Sequence, residues 1–91
     1  MTPYRSFDEA VTLVNATPYG LQAGLFTRDV ARLLQAWESL EVGGVMGNEV
    51  PTWRIDRMPY GGTKASGLGR EGVRYAIEEM TELRLLTLHA E

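Results

Sequence analysis

Three short apolar segments, residues 23–26, 45–47 and 83–88, are separated from one another by stretches with helical period. That alternation limits the possible folds more than any other feature of the chain. Strands divided by helices pair in parallel, because a helix is long enough to return the chain to the start of the next strand. The expected fold class is therefore α/β, with short parallel strands alternating with helices. The pattern also raises a difficulty. Parallel sheets need helices on both faces and several neighbouring strands. A chain of 91 residues with three short strands does not close such a core comfortably. The segment Leu83-Arg84-Leu85-Leu86-Thr87-Leu88 would present an exposed apolar edge, which is a pairing site. The chain reads as a piece of something larger, or as an obligate partner of another chain.

The local signals are as follows. Ser6-Phe7-Asp8-Glu9 has the form of a helix start, with Ser6 accepting from the backbone three residues on and Glu9 reaching back. Phe7, Ala10, Val11 and Val14 share one helical face, and Pro18 ends the helix near Asn15. Tyr19-Gly20 reads as a turn and Thr27 as the cap of the next helix. That helix carries Val30, Leu33, Leu34 and Trp37 as its apolar stripe, and Gly43-Gly44 follows its end. The strand at 45–47 closes at Asn48. Residues 49–69 fit no period and hold Pro51, Pro59, Trp53, Tyr60 and four glycines. A loop of this length in a small domain is usually functional. A last helix over 70–82 has Val73, Ala76, Ile77 and Met80 as its inner stripe, with Arg74 and Glu78 able to pair one turn apart.

Composition removes several kinds of chemistry. There is no cysteine and one histidine, His89. Disulfides, thiolate catalysis and Cys- or His-cluster metal sites are therefore excluded for this chain. Nine Lys and Arg against twelve Asp and Glu give a net charge of −3, and the one basic cluster, Arg54, Arg57, Lys64 and Arg70, precedes an acid-rich helix. No nucleic-acid partner is expected. No apolar run approaches the roughly 20 residues that cross a bilayer, and no leader is visible at the start. No membrane partner is expected, and the expected location is cytoplasmic.

Four residues near the irregular loop are candidates for a site. Trp53 and Tyr60 either line an apolar pocket or anchor the loop to the core. Arg54 can clamp a carboxylate or phosphate bidentately, or pair locally with Asp56. Asn48 sits past a strand end, as a site donor or a turn-former. Residues 67–72 match G-x-G-x-x-G. The dinucleotide-binding form of that motif needs a strand directly before it and an acid after the next strand. The motif reads better as a loop that uses glycine dihedrals and then caps a helix. Residues 61–67 lack the Gly-Lys-Ser/Thr ending of a phosphate loop, so Lys64 reads as a surface or loop-pairing lysine.

Residues 15–21 (NATPYGL), 26–29 (FTRD), 44–48 (GVMGN) and 58–72 (MPYGGTKASGLGREG) resemble, in order and spacing, the C-terminal part of the aldehyde dehydrogenase superfamily. The resemblance covers essentially the whole chain. It implies the C-terminal part of a catalytic domain, with residues 1–82 belonging to that domain and 83–91 forming an oligomerisation strand and tail. Members oxidise aldehydes to carboxylic acids with NAD or NADP. They use a cysteine nucleophile, a glutamate that activates water and a Rossmann-like cofactor domain, all upstream of the region matched. The resemblance therefore implies a segment that is inactive alone and binds no cofactor alone. Its partners would be the rest of a dehydrogenase or its subunits, in a homo-oligomer. Residues after Asn48 resemble the substrate-entrance loop. There Trp53 would line the substrate tunnel, Tyr60 would replace a usual phenylalanine near the aldehyde pocket, and Asn48 would match a family asparagine. Met46-Gly47 departs from a more usual apolar pair. Variants with Pro-Thr-Trp-Arg, as at residues 51–54 here, include enzymes acting on small hydroxy- or phospho-aldehydes. Two rival readings are a stand-alone module that docks on full-length subunits through 83–88 and a small nucleotide-binding module using 67–72. A third is an incomplete gene product without a function of its own.

Overall fold

A computed structural model describes residues 1–90. Helix α1 (Phe7–Asn15) starts where the capping signal places it, with Ser6 Oγ accepting from the Glu9 N–H at 3.2 Å. Glu9 reaches back one residue further than expected, its Oε2 accepting from the Arg5 N–H at 2.8 Å. Tyr19-Gly20 is not a turn. It forms β1 (Tyr19–Gly20), antiparallel to β4 (Thr63–Lys64), with Tyr19 opposite Lys64 and Gly20 opposite Thr63. The partner lies far along the chain, so no local pattern announces the pairing.

Strand β2 (Gln22–Leu25) and strand β3 (Gly44–Gly47) pair in parallel, Gln22 opposite Gly44 and Leu25 opposite Gly47. Helix α2 (Val30–Ser39) is the crossover between them. Its cap is Asp29 rather than Thr27. Asp29 Oδ1 accepts from the Ala31 N–H at 2.9 Å, while Thr27 Oγ1 accepts from the Asp29 N–H at 3.1 Å. Two capping acceptors stand in series, and the one adjacent to the first helical residue closes the helix.

Side-chain hydrogen bonds link α1 and α2. Gln35 Nε2, midway along α2, donates to Asp8 Oδ1 in the first turn of α1 at 3.0 Å. At their ends Asn15 donates to Ser39 O at 2.8 Å and accepts from the Glu41 N–H at 2.9 Å. Between them and β2 lies an apolar seam lined by Phe7, Ala10, Val11, Ala23, Leu25 and Ala36. Ala36 is fully buried there, and Met46 is buried on β3. The two-stranded sheets meet at Gly43, whose N–H is shared between Gly20 O and Leu21 O at 3.1 and 3.0 Å. A Cβ on Gly43 would fall 1.6 Å from Gly61 O, so this close approach requires glycine.

The helical periods hold, but the apolar faces are not covered, including the α3 stripe expected to face inward. Val30, Leu34 and Trp37 on α2 are exposed, as are Val73, Ile77 and Met80 on α3 (Val73–Met80). Periodicity marks the apolar face of a helix. It does not supply the surface that covers that face. Helix α3 is shorter than the expected 70–82 and begins at Gly72, with φ +111° and no side-chain cap. The expected third parallel strand is likewise unpaired: residues 83–90 form neither helix nor paired strand, and all of them are exposed. The Cα radius of gyration is 18.1 Å over extents of 71 × 27 × 21 Å. A compact chain of this length would give about 12 Å. Among the described residues no helix is long and apolar enough to cross a membrane.

Candidate functional site

The parallel strands β2 and β3 end together, at Leu25 and Gly47. In open parallel sheets the carboxyl ends of the strands are where ligands bind. Asn48 is the first residue past this edge, in the left-handed region at φ +56°. Its N–H donates to Leu25 O at 2.7 Å and its Oδ1 accepts from the Thr27 N–H at 2.9 Å. Asn48 is thus a turn-former that ties the two strand ends. Its Nδ2 remains a donor without an acceptor among the described residues.

Two turns follow. Trp53 N–H donates to Val50 O at 3.2 Å, with Pro51 in the second position where its fixed φ suits a turn. Met58 N–H donates to Ile55 O at 3.1 Å. These turns fold residues 49–58 over the end of β3. They enclose a groove of about 430 Å³ lined by Met46, Asn48, Glu49, Trp53 and Met58. Trp53 is partly exposed there, so it lines the groove and does not anchor a core.

Arg54 and Tyr60 form a second cluster. The backbone of Tyr60 pairs with that of Glu71 as an antiparallel bridge, Tyr60 N–H donating to Glu71 O at 3.1 Å. The bridge brings the Glu71 side chain beside the Tyr60 ring. Arg54 lies over that ring, its guanidinium carbon 3.8 Å from the centroid, and its Nη2 donates to Glu71 Oε2 at 3.0 Å. The expected local partner, Asp56, is not used. The bridge places Glu71 within reach, whereas Asp56 lies in the neighbouring turn. Sequence reasoning did not find Glu71, and no local signal marks it, because its link to Arg54 exists only once the 60–71 loop closes. The structure therefore divides the four candidates into two pairs, Asn48 with Trp53 and Arg54 with Tyr60.

The glycine motif at 67–72 does not fit a dinucleotide. Gly67, Gly69 and Gly72 all have positive φ, which accounts for the glycines as backbone requirements. The amide of Arg70 is already taken by Glu79 Oε1 at 3.0 Å, and that of Glu71 by Tyr60 O. A Cβ on Gly69 would meet the Glu79 carboxylate. Two carboxylates at the loop oppose a pyrophosphate, and the Arg70 and Glu71 N–H groups are not free to bind it. Lys64, the other phosphate-loop candidate, pairs with Glu41 and donates to Asn15 O and Thr17 O at 3.0 and 3.2 Å.

Comparison with known proteins gives a consistent result. The aldehyde dehydrogenase family model matches residues 1–86. A lactaldehyde dehydrogenase of Methanococcus maripaludis is 51% identical over 82 residues, covering 90% of this chain and 18% of that protein. A 3-sulfolactaldehyde dehydrogenase of Priestia aryabhattai is 51% identical over 86 residues, covering 94% and 18%. Among solved structures, aldehyde dehydrogenase 21 of Physcomitrella patens, in complex with the reaction product succinate, superposes with a TM-score of 0.85 at 52% identity. That match covers 87% of this chain and 16% of the plant chain. The glyceraldehyde-3-phosphate dehydrogenase GapN of Methanocaldococcus jannaschii, complexed with NADP, gives 0.78 at 51% identity, covering 80% and 16%. The chain thus spans about 18% of the length of the curated relatives it matches. With its α/β architecture and a family match running from residue 1 to residue 86, this chain belongs to the aldehyde dehydrogenase family.

Proposed function

We propose that this chain is the C-terminal segment of an NAD(P)-dependent aldehyde dehydrogenase that oxidises an aldehyde to a carboxylic acid. Residues 1–82 belong to the catalytic domain, and residues 83–91 are an oligomerisation strand and tail of a homo-oligomer. The segment contributes the substrate-entrance loop, with Asn48, Trp53, Arg54 and Tyr60 facing the aldehyde. The nicotinamide cofactor, the nucleophile and the activated water belong to parts of the enzyme outside these residues, and the segment alone is inactive.

The observation that carries this reading is the position of Arg54. It comes from the loop that follows β3, directly after the groove residue Trp53, and it rests on the Tyr60 ring. A guanidinium held flat on an aromatic ring is suited to an anionic group on the far end of a short aldehyde. Several relatives are named for such compounds, including 3-sulfolactaldehyde and glyceraldehyde-3-phosphate, whereas lactaldehyde itself is neutral. In a complete enzyme carrying this segment, Arg54→Ala raises KM for anionic aldehydes about 10-fold, the size of one lost charge-assisted hydrogen bond. Neutral aldehydes of the same length keep their KM. An equal loss for both kinds of substrate overturns the assignment of Arg54. Turnover above buffer by the 91-residue chain alone overturns the assignment of the segment as inactive by itself.

A second reading rests on the exposed tail. Leu83, Leu85, Leu86 and Leu88 are all solvent-exposed. A stand-alone module that docks on full-length subunits through these residues accounts for them equally well. It predicts co-purification with a larger dehydrogenase, lost on Leu85→Pro because proline removes a ladder donor.

A further inference from the structure

One carboxylate in the groove at the end of β3 has no cation to balance it. Glu49 is partly buried and lines the groove together with the apolar side chains of Met46, Trp53 and Met58. Its Oε1 accepts from the N–H of Val50 at 2.8 Å, which ties down one side of the carboxylate. Among the described residues no Lys or Arg pairs with it, and its Oε2 meets no donor. Next to it in the same groove is Asn48, whose Oδ1 is held by the Thr27 N–H at 2.9 Å, so that Nδ2 is the free end of that amide. A carboxylate drawn partly out of water among apolar side chains is costly unless something donates to it. One free acceptor and one free donor therefore stand on neighbouring residues of one groove.

We infer that this groove selects short aldehydes that carry a hydroxyl group, with Glu49 as a specificity-determining residue and Asn48 as its complement. The inference deepens the proposed function and rests on the groove being the substrate entrance. A hydroxyl is at once donor and acceptor. Its O–H donates to Glu49 Oε2, and its oxygen accepts from Asn48 Nδ2. Other substituents placed there do less. A methylene leaves both residues unpaired, an ammonium group serves Glu49 only, and a carboxylate accepts from Asn48 but is repelled by Glu49. The two clusters then read different parts of one substrate, Arg54 its far end and Glu49 a hydroxyl short of that end.

The test uses a complete dehydrogenase carrying this segment. Whichever of 2-hydroxypropanal and 3-hydroxypropanal the unaltered enzyme uses better is compared with propanal, which lacks only that oxygen. The quantity read is the ratio of the two kcat/KM values, so a loss common to both substrates cancels. The ratio is expected to fall about 10-fold in Glu49→Ala, the scale of a hydrogen bond to a charged group. Glu49→Gln, which keeps the length and an acceptor, loses less. Asn48→Asp keeps the acceptor for Thr27 and removes the donor, and its ratio falls about 5-fold. In the double variant the two losses do not multiply, because both residues hold the same hydroxyl. An unchanged ratio in Glu49→Ala overturns the inference. So does a Glu49 dependence at least as large for 3-aminopropanal, which marks the carboxylate as a cation site. Trp53→Ala separates the two levels. If it alters KM for both aldehydes while Glu49→Ala leaves the ratio in place, the groove stands as the entrance and the role of Glu49 falls. If it alters neither, the groove is not the entrance, and the inference falls with that reading.

Discussion

Residues 7–48 and residues 49–90 are held together in different ways. In the first part, order is local and repetitive. Ser6 and Asp29 cap their helices within three residues, and β2 and β3 pair through the crossover that joins them. The second part has one eight-residue helix, α3, and one two-residue strand, β4. It is secured by long cationic side chains that hold backbone oxygens. Lys64 holds Asn15 O and Thr17 O, and Arg70 Nη1 holds Gly62 O and Gly69 O at 2.9 and 2.8 Å. Backbone outside helices and ladders still has to satisfy its polar groups. In this chain single side chains do that work, so each one matters more than a single residue in a regular ladder.

The contrast can be attacked where the two parts touch. Gly43→Ala should have the largest effect, because its methyl would overlap Gly61 O and force the sheets apart. A loss of about 3 kcal/mol is expected, at the upper end for overpacking, read as a lowered thermal unfolding midpoint. Lys64→Ala removes the clamp between β4 and the end of α1. Its side chain is only 26% exposed, so a loss of about 2 kcal/mol is expected; an effect below a quarter of this would show that the loop is held by other contacts. At Asn48 the backbone is left-handed. Asn48→Ala should cost about 1–2 kcal/mol and Asn48→Gly clearly less, and equal losses would assign the role to the side-chain bond with Thr27 alone. Arg74→Ala breaks only the solvent-exposed pair with Glu78 on α3. It should change stability by less than about 0.5 kcal/mol, the baseline against which the others are judged.

The same contrast explains what could be read from the sequence. The α/β class, the parallel pairing of β2 with β3 and the end of α1 near Asn15 were all legible, because capping residues, Pro18 and apolar periods act over a few positions. The β1–β4 pairing and the Arg54–Glu71 contact were not. Each joins residues far apart in sequence, and neither leaves a trace in the local pattern. Arg54 and Tyr60 each stand out in the sequence, whereas their stacking on one another depends on the bridge between Tyr60 and Glu71. The stripes of α2 and α3 are legible as apolar, but the expectation that the α3 stripe faces inward does not hold. Amphipathic spacing reports which face seeks burial, and a chain matching 18% of its relatives' length offers few surfaces to provide it.

The exposed stripe of α2 also gives the molecule an optical use. The two tryptophans stand on different surfaces, Trp37 on that helix face at 69% exposure and Trp53 in the groove at 42%. Both indoles meet water, so both should emit at long wavelength. Trp53→Phe leaves a chain whose fluorescence reports only on the helix face, and Trp37→Phe one that reports only on the groove. A blue shift in the first variant would record a protein surface closing over α2, and a blue shift in the second would record occupation of the groove.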